Sequence, residues 1–240
     1  MNHFHDMRKV LTFSNSSEAI RALTLRLCEQ IAKRKFERFR LALSGGETAK
    51  LMFDMWREDF SKSADWACVD FFWVDERLVD LNSDTSNFKW AQEKFFEPLG
   101  ISKSQIFNPN PQTDFGREAV RLERLLIEGR PQNSNILDCA ILGVGSDGHT
   151  ASIFPNNPRI FESAALCEIV RKPGDEFMRF TLTPGALKDT GELMFLALGE
   201  GKREVLAKFL KESDSPSQEL VAARVFAAAK EAVLFTDFKA

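Results

Sequence analysis

The chain has 240 residues, 44% of them hydrophobic and 28% charged, which suits a folded chain of one large domain or two small ones with a sizeable core. Its 32 basic and 35 acidic residues leave a net charge of −3, which argues against a nucleic-acid or membrane partner but leaves room for a local basic pocket. No apolar run approaches the roughly 20 residues of a transmembrane helix, and residues 1–9 are polar, so the expected location is cytoplasmic.

Positions 10–13 predict a short edge strand. Ser14, Asn15 and Ser16 are N-cap residues with Glu18 behind them, and Ile20, Leu23, Leu27 and Ile31 recur at helical spacing. That pattern predicts a helix to about Lys35. A strand at 39–43 runs into Ser44-Gly45-Gly46-Glu47-Thr48, and a helix carrying Leu51, Met52 and Met55 follows. Strand, glycine turn and helix form the first unit of a parallel α/β layer. The run at 69–74 reads as a strand covered on both faces. It ends in Asp75-Glu76-Arg77, and a polar loop at 81–87 leads to a helix through Glu97 that Pro98 and Gly100 stop. A helix at 115–128 and a polar loop at 129–135 come next.

The strand at 138–143 enters a glycine-rich segment, 143–150. Further strands are expected at 167–170, 177–182, 193–198 and 232–236, with a helix at 202–210 and an ordinary loop at 213–217. No repeat or long linker interrupts the chain. The simplest fold is one α/β domain over 1–240: a Rossmann-like, mostly parallel sheet with helices on both faces.

Cys28, Cys68, Cys139 and Cys167 are widely spaced among apolar neighbours, with no Cys-x-x-Cys pair and no zinc spacing to a His. They read as buried free thiols. Of three histidines, His3 and His5 lie near the start of the chain and His149 is the single internal one.

Three strands end in polar clusters, and the carboxyl ends of strands in an open parallel sheet share one rim. In Ser44-Gly45-Gly46-Glu47-Thr48, two glycines expose N–H groups ahead of a helix. This suits a phosphate, with Ser44 and Thr48 adding hydroxyls, although a plain strand-to-helix turn has the same pattern. It is neither a Walker loop nor a dinucleotide fingerprint. Asp75-Glu76-Arg77 is either an anion grip through Arg77 or an ion-pair cluster capping the strand. The third cluster, Gly143-Val144-Gly145-Ser146-Asp147-Gly148-His149-Thr150, places a carboxylate two residues before the internal His. Imidazole is the natural general base near neutral pH, and a neighbouring carboxylate fixes its tautomer. Lys172, Arg179 and Lys202 lie near further strand ends, as rim cations or as solvated surface charge. With no Gly-x-Ser-x-Gly elbow, no Cys in a polar glycine loop and no metal-ligand set, the expected nucleophile is water, with no metal or other cofactor.

Together these segments resemble the 6-phosphogluconolactonase family, which shares a larger group with glucosamine-6-phosphate deaminases. The resemblance rests on residues 43–48, on Asp75-Glu76-Arg77 with Ser86-Asn87, and on 138–155, above all Gly148-His149-Thr150-Ala151-Ser152-Ile153-Phe154-Pro155. Lys172-Pro173, residues 179–183 and 199–202 also fit, so nearly the whole chain is covered in family order. The resemblance implies hydrolysis of 6-phospho-D-glucono-1,5-lactone in the oxidative pentose phosphate pathway. His149 would activate water and Asp147 would orient it. Ser44, Gly45, Gly46, Thr48, Arg77 and Lys172 would hold the phosphate, with Arg179 and Lys202 as further contributors. Asp75, Asn87, Gly145 and Gly148 would shape the pocket.

The family's loop usually has proline after its Thr; here Ala49 stands there, which leaves the loop softer. The resemblance also raises a deaminase as an alternative. That chemistry needs further acid–base groups, its loop carries Glu where this chain has Phe154, and it tends to have Tyr in place of Arg77. A non-catalytic sugar-phosphate sensor is a third reading, for which the chain has no spare partner-binding segment.

Overall fold

The structure is a computed structural model that describes residues 8–34, 37–130, 134–212, 216–217 and 219–239. His3, His5 and residues 213–215 of the expected loop lie outside the described residues. Among the described residues the elements run β1 (Arg8–Thr12), α1 (Ser16–Lys33), β2 (Phe39–Leu43), α2 (Glu47–Asp59), β3 (Val69–Trp73), β4 (Asp75–Arg77), α3 (Asn87–Ala91), α4 (Phe115–Ile127), β5 (Leu137–Leu142), β6 (Cys167–Val170), β7 (Arg179–Leu182), α5 (Pro184–Lys188), β8 (Thr190–Ala197), α6 (Arg203–Glu212), α7 (Val221–Ala228) and β9 (Ala232–Thr236).

Six strands form a parallel sheet in the order β1-β9-β8-β5-β2-β3. From β2 the chain adds β3 on one side and later places β5 on the other. Strand order therefore reverses between β2 and β5, whose carboxyl ends carry two of the three polar clusters. The expected edge strand is β1, and it pairs only with β9.

Both faces of the sheet are covered. Side chains alternate along β8, so Glu192 and Phe195 point to opposite sides. Glu192 accepts from Arg26 Nε of α1 at 2.6 Å, while Phe195 meets Phe209 of α6 and Phe226 of α7. At the β3 edge, Phe71 packs with Trp66 and Phe95 on one side, and Phe72 stacks on Phe107 on the other. Buried Arg40 lies over Phe72 and donates to the carbonyls of Leu125 and Leu126, which closes the end of α4.

Four expectations need correction. Asp75-Glu76-Arg77 is not a cap after β3 but a strand, β4, in a separate antiparallel sheet of order β4-β7-β6. Val74 joins the two sheets: its N–H donates to Leu43 O and its carbonyl accepts from Leu182 N. The helix expected through Glu97 becomes a π-helical turn at Gln92–Phe96 after α3, and both Phe95 and Phe96 are buried there. Helices α5 and α7 were not anticipated. Three of the four free cysteines are buried, but Cys68 is partly exposed and donates to Asp65.

Gly191, at the start of β8, lies against β5 so closely that a β-carbon would stand 2.6 Å from Asp138 O. Gly191→Ala should therefore lower the unfolding free energy by about 1–3 kcal/mol in urea titration, because backbone must move to admit the methyl. A change below about 0.5 kcal/mol would show that the β5–β8 contact yields freely.

Candidate active site

The first cluster joins β2 to α2. Gly46, at φ 92°, is the N-cap residue, and no side chain caps the first turn of α2. The N–H groups of that turn are thus free of side-chain competition for an anion. Gly45 is required for another reason: a β-carbon there would overlap the amide of Asn87. Asn87 is buried and anchored by its Nδ2, which donates to Asp75 O at 2.9 Å.

Alternation along β4 sends Asp75 and Arg77 to one side and Glu76 to the other. Asp75 is buried and accepts from Ser152 Oγ at 2.8 Å. Arg77 Nη1 donates to Thr85 O at 2.7 Å. Directly across the ladder from Arg77 is Arg179 of β7. Two cations at opposed strand positions repel unless anionic groups share them. Asp175 supplies one, accepting from Arg179 Nε and Nη2 at 2.8 and 2.6 Å. Glu76 is fully buried behind the pair. Burial pushes its carboxyl up to about 7, against the pull of N–H groups from Asn87, Phe88 and Arg77.

The third cluster folds back on itself. Gly145 N donates to His149 O at 2.8 Å and Gly148 N to Gly145 O at 3.0 Å. Gly148, at φ 83°, takes a conformation that suits glycine, and a β-carbon there would meet Leu220. Inside the turn the Asp147 carboxylate is hydrogen-bonded to His149 Nδ1. A β-carbon on Gly145 would overlap both His149 and Asp147, so the pair forms only because that position is bare. Partial burial raises the Asp147 carboxyl, but hydrogen bonds and charge from His149 outweigh it, and the carboxyl sits below the usual range. Thr150 Oγ1 donates to Gly143 O, which ties the loop to the end of β5.

These residues converge on one cleft of about 470 Å³. Ser44, Gly45, Gly46, Thr48, Asp75, Arg77, Asn87, Gly145, His149, Arg179 and Lys202 all line it. Burial lowers the pKa of Lys202. Asp147 and Lys172 instead line a second cavity of about 560 Å³, and Gly148 lines neither cavity but faces Glu219 and Leu220. Lys172 is therefore placed beside the carboxylate, its Nζ 4.0 Å from Asp147 Oδ2, rather than on the glycine turn. Sequence reasoning left Glu76, Ser152 and Asp175 without a role. Polar Ser152 within an otherwise apolar 151–155 was the available signal; Glu76 and Asp175 had none beyond charge. Among the described residues, no group of three or more His, Cys, Asp and Glu is placed to hold a metal ion, and no helix is long and apolar enough to cross a membrane.

The family model described as glucosamine-6-phosphate isomerases/6-phosphogluconolactonase matches residues 14–234. The 6-phosphogluconolactonase of Treponema pallidum (strain Nichols) is 32% identical over 170 residues, 70% of each chain. That of Aggregatibacter actinomycetemcomitans is 28% identical over 192 residues, 78% of this chain and 79% of its own. The crystal structure of the 6-phosphogluconolactonase from Thermotoga maritima superposes with a TM-score of 0.77 at 26% identity, covering 95% of this chain and 97% of that one. With matching sequence over nearly its whole length and the same fold, the chain belongs to the glucosamine-6-phosphate isomerase/6-phosphogluconolactonase family.

Proposed function

We propose that the chain hydrolyses 6-phospho-D-glucono-1,5-lactone to 6-phosphogluconate, with His149 as the base that activates water. One observation carries this reading: the imidazole of a His–Asp pair and a set of anion-binding groups face the same cleft. The relatives named 6-phosphogluconolactonase support it.

The chemistry follows from the geometry. The 6-phosphate rests against Gly45, Gly46 and the uncapped turn of α2, with Ser44 and Thr48 as hydroxyl donors. Arg77, Arg179 and Lys202 supply the positive charge. Holding the remote phosphate orients the ring, so binding energy serves the reaction at C1. Asp147 accepts the Nδ1 hydrogen of His149 and leaves a lone pair on Nε2. Lys172 helps to keep Asp147 a carboxylate. His149 Nε2 takes a proton from water as the water oxygen bonds to C1. The tetrahedral intermediate then collapses: the bond from C1 to the ring oxygen breaks, and the proton on Nε2 passes to that oxygen. No covalent enzyme intermediate is required, since the lactone carbonyl is already electrophilic.

The deaminase alternative finds less support. The Phe154 ring lies 5.1 Å from that of His149, where a carboxylate would be needed to carry protons, and the chain has no tyrosine. The absence of a cofactor, of nucleic-acid and membrane partners, and a cytoplasmic location belong to the same proposal.

Proton release from fresh lactone, followed with and without the protein, tests the activity; an unaltered spontaneous rate would reject it. His149→Ala should lower kcat by about 10²–10⁴-fold while product still binds in calorimetry. Arg77→Ala should raise KM about tenfold or more with a smaller change in kcat. Gly145→Ala should fold yet lose about 10²-fold in kcat, because its methyl displaces the imidazole. Wild-type turnover in Gly145→Ala would mean that the ring position does not matter.

A further inference from the structure

Glu76 is the one residue of the second cluster that does not line the cleft, and it is completely buried. Its carboxylate accepts four hydrogen bonds. Oε1 takes Arg77 N at 2.6 Å and Asn87 N at 2.8 Å. Oε2 takes Phe88 N at 2.7 Å and Ser86 Oγ at 3.1 Å. Three of these donors belong to a segment ten to twelve residues further along the chain, at the end of the polar loop.

That segment reaches the cleft twice. Thr85, next to Ser86, presents the carbonyl that receives Arg77 Nη1. Asn87 lines the cleft and fills the space beside Gly45. Arg77 itself is held at its backbone N–H by Glu76 Oε1 and at its guanidinium by the carbonyl of Thr85, the residue directly before the three donors that Glu76 binds. A loop rich in Ser, Asp, Asn and Thr has little apolar surface to pin it.

We propose that Glu76 is the positioning residue of the anion clamp: from behind β4 it ties the 85–88 segment in place and so sets Arg77 and Asn87 against the glycine turn. The inference deepens the reading of the cleft as a phosphate site and rests on it. A purely structural role would predict something different. Protein with a disordered fraction loses apparent kcat, while the folded remainder keeps the wild-type KM and anion affinity. A mispositioned clamp changes KM and anion affinity in every molecule.

Glu76→Gln separates the two. The amide keeps the shape but turns one acceptor into a donor that faces N–H groups. Inorganic phosphate affinity, measured by calorimetry, should weaken about tenfold or more, and KM for the phosphorylated lactone should rise with it, by more than kcat falls. The phosphate arm does not need turnover, so it remains readable if the lactonase reading fails in the wild type. Unchanged phosphate affinity and KM, with or without a fall in kcat, would overturn the proposal. Should Glu76→Gln not fold, Ser86→Ala removes one of the four donors and is read in the same way. A two- to fivefold loss of phosphate affinity is then expected, and wild-type affinity would overturn the proposal.

Discussion

At the carboxyl ends of β2 and β5, Asn87 and His149 occupy the volume that a β-carbon on Gly45 or Gly145 would need. The two strands are neighbours in the parallel sheet, paired through Leu41 with Cys139 and Ala42 with Ala140. Their ends are held side by side by main-chain hydrogen bonds, and the bare glycines let one side chain from each flank close over them. Strand order reverses at this point, so no crossover helix fills the space above it. The cleft is a consequence of that topology, and the two glycines decide which groups reach into it.

The small antiparallel sheet supplies the charge. It turns Asp75 and Arg77 toward the cleft and brings Arg179 opposite Arg77. Two guanidinium groups at one ladder position repel, and the protein compensates them unevenly. Arg179 has Asp175. Arg77 has only a carbonyl, and its buried Nε has no protein partner, nor does the buried Oδ1 of Asn87. A substrate phosphate with several acceptor oxygens would relieve the first, and a sugar hydroxyl the second. A buried donor and a buried acceptor without protein partners call for an occupant that brings both kinds of group.

Most of the frame could be read from residue order. Mostly apolar runs, each interrupted by one charged residue, marked β2, β3 and β5; helical spacing marked α1, and a Ser-Asn-Ser cap placed the start of α1 to within a residue or two. The His149–Asp147 pair was readable because only one internal His exists and it sits in a glycine loop beside an Asp. What escaped has physical reasons. β4 is three residues long and entirely charged, so neither apolar alternation nor propensity reveals it; its partner strand does. α7 is only eight residues long, about two turns of Val, Ala, Arg and Phe, so the helical period repeats too few times to be read from the sequence. The family resemblance implies a phosphate role for Lys172, while the loop after β6 sets its Nζ 4.0 Å from Asp147 Oδ2, a proximity that residue order does not reveal. Glu76 looked like another surface charge because burial of a carboxylate depends on donors that arrive from a distant segment.

On the proposed reading, imidazole and anion clamp hold opposite ends of one six-carbon ligand. A crystal structure with 6-phosphogluconate bound tests it most directly. The phosphate should lie on the glycine turn beside Arg77, with the carboxylate carbon within about 4 Å of His149 Nε2. A ligand bound in the reverse sense, or with its carboxylate out of reach of the imidazole, would contradict the account.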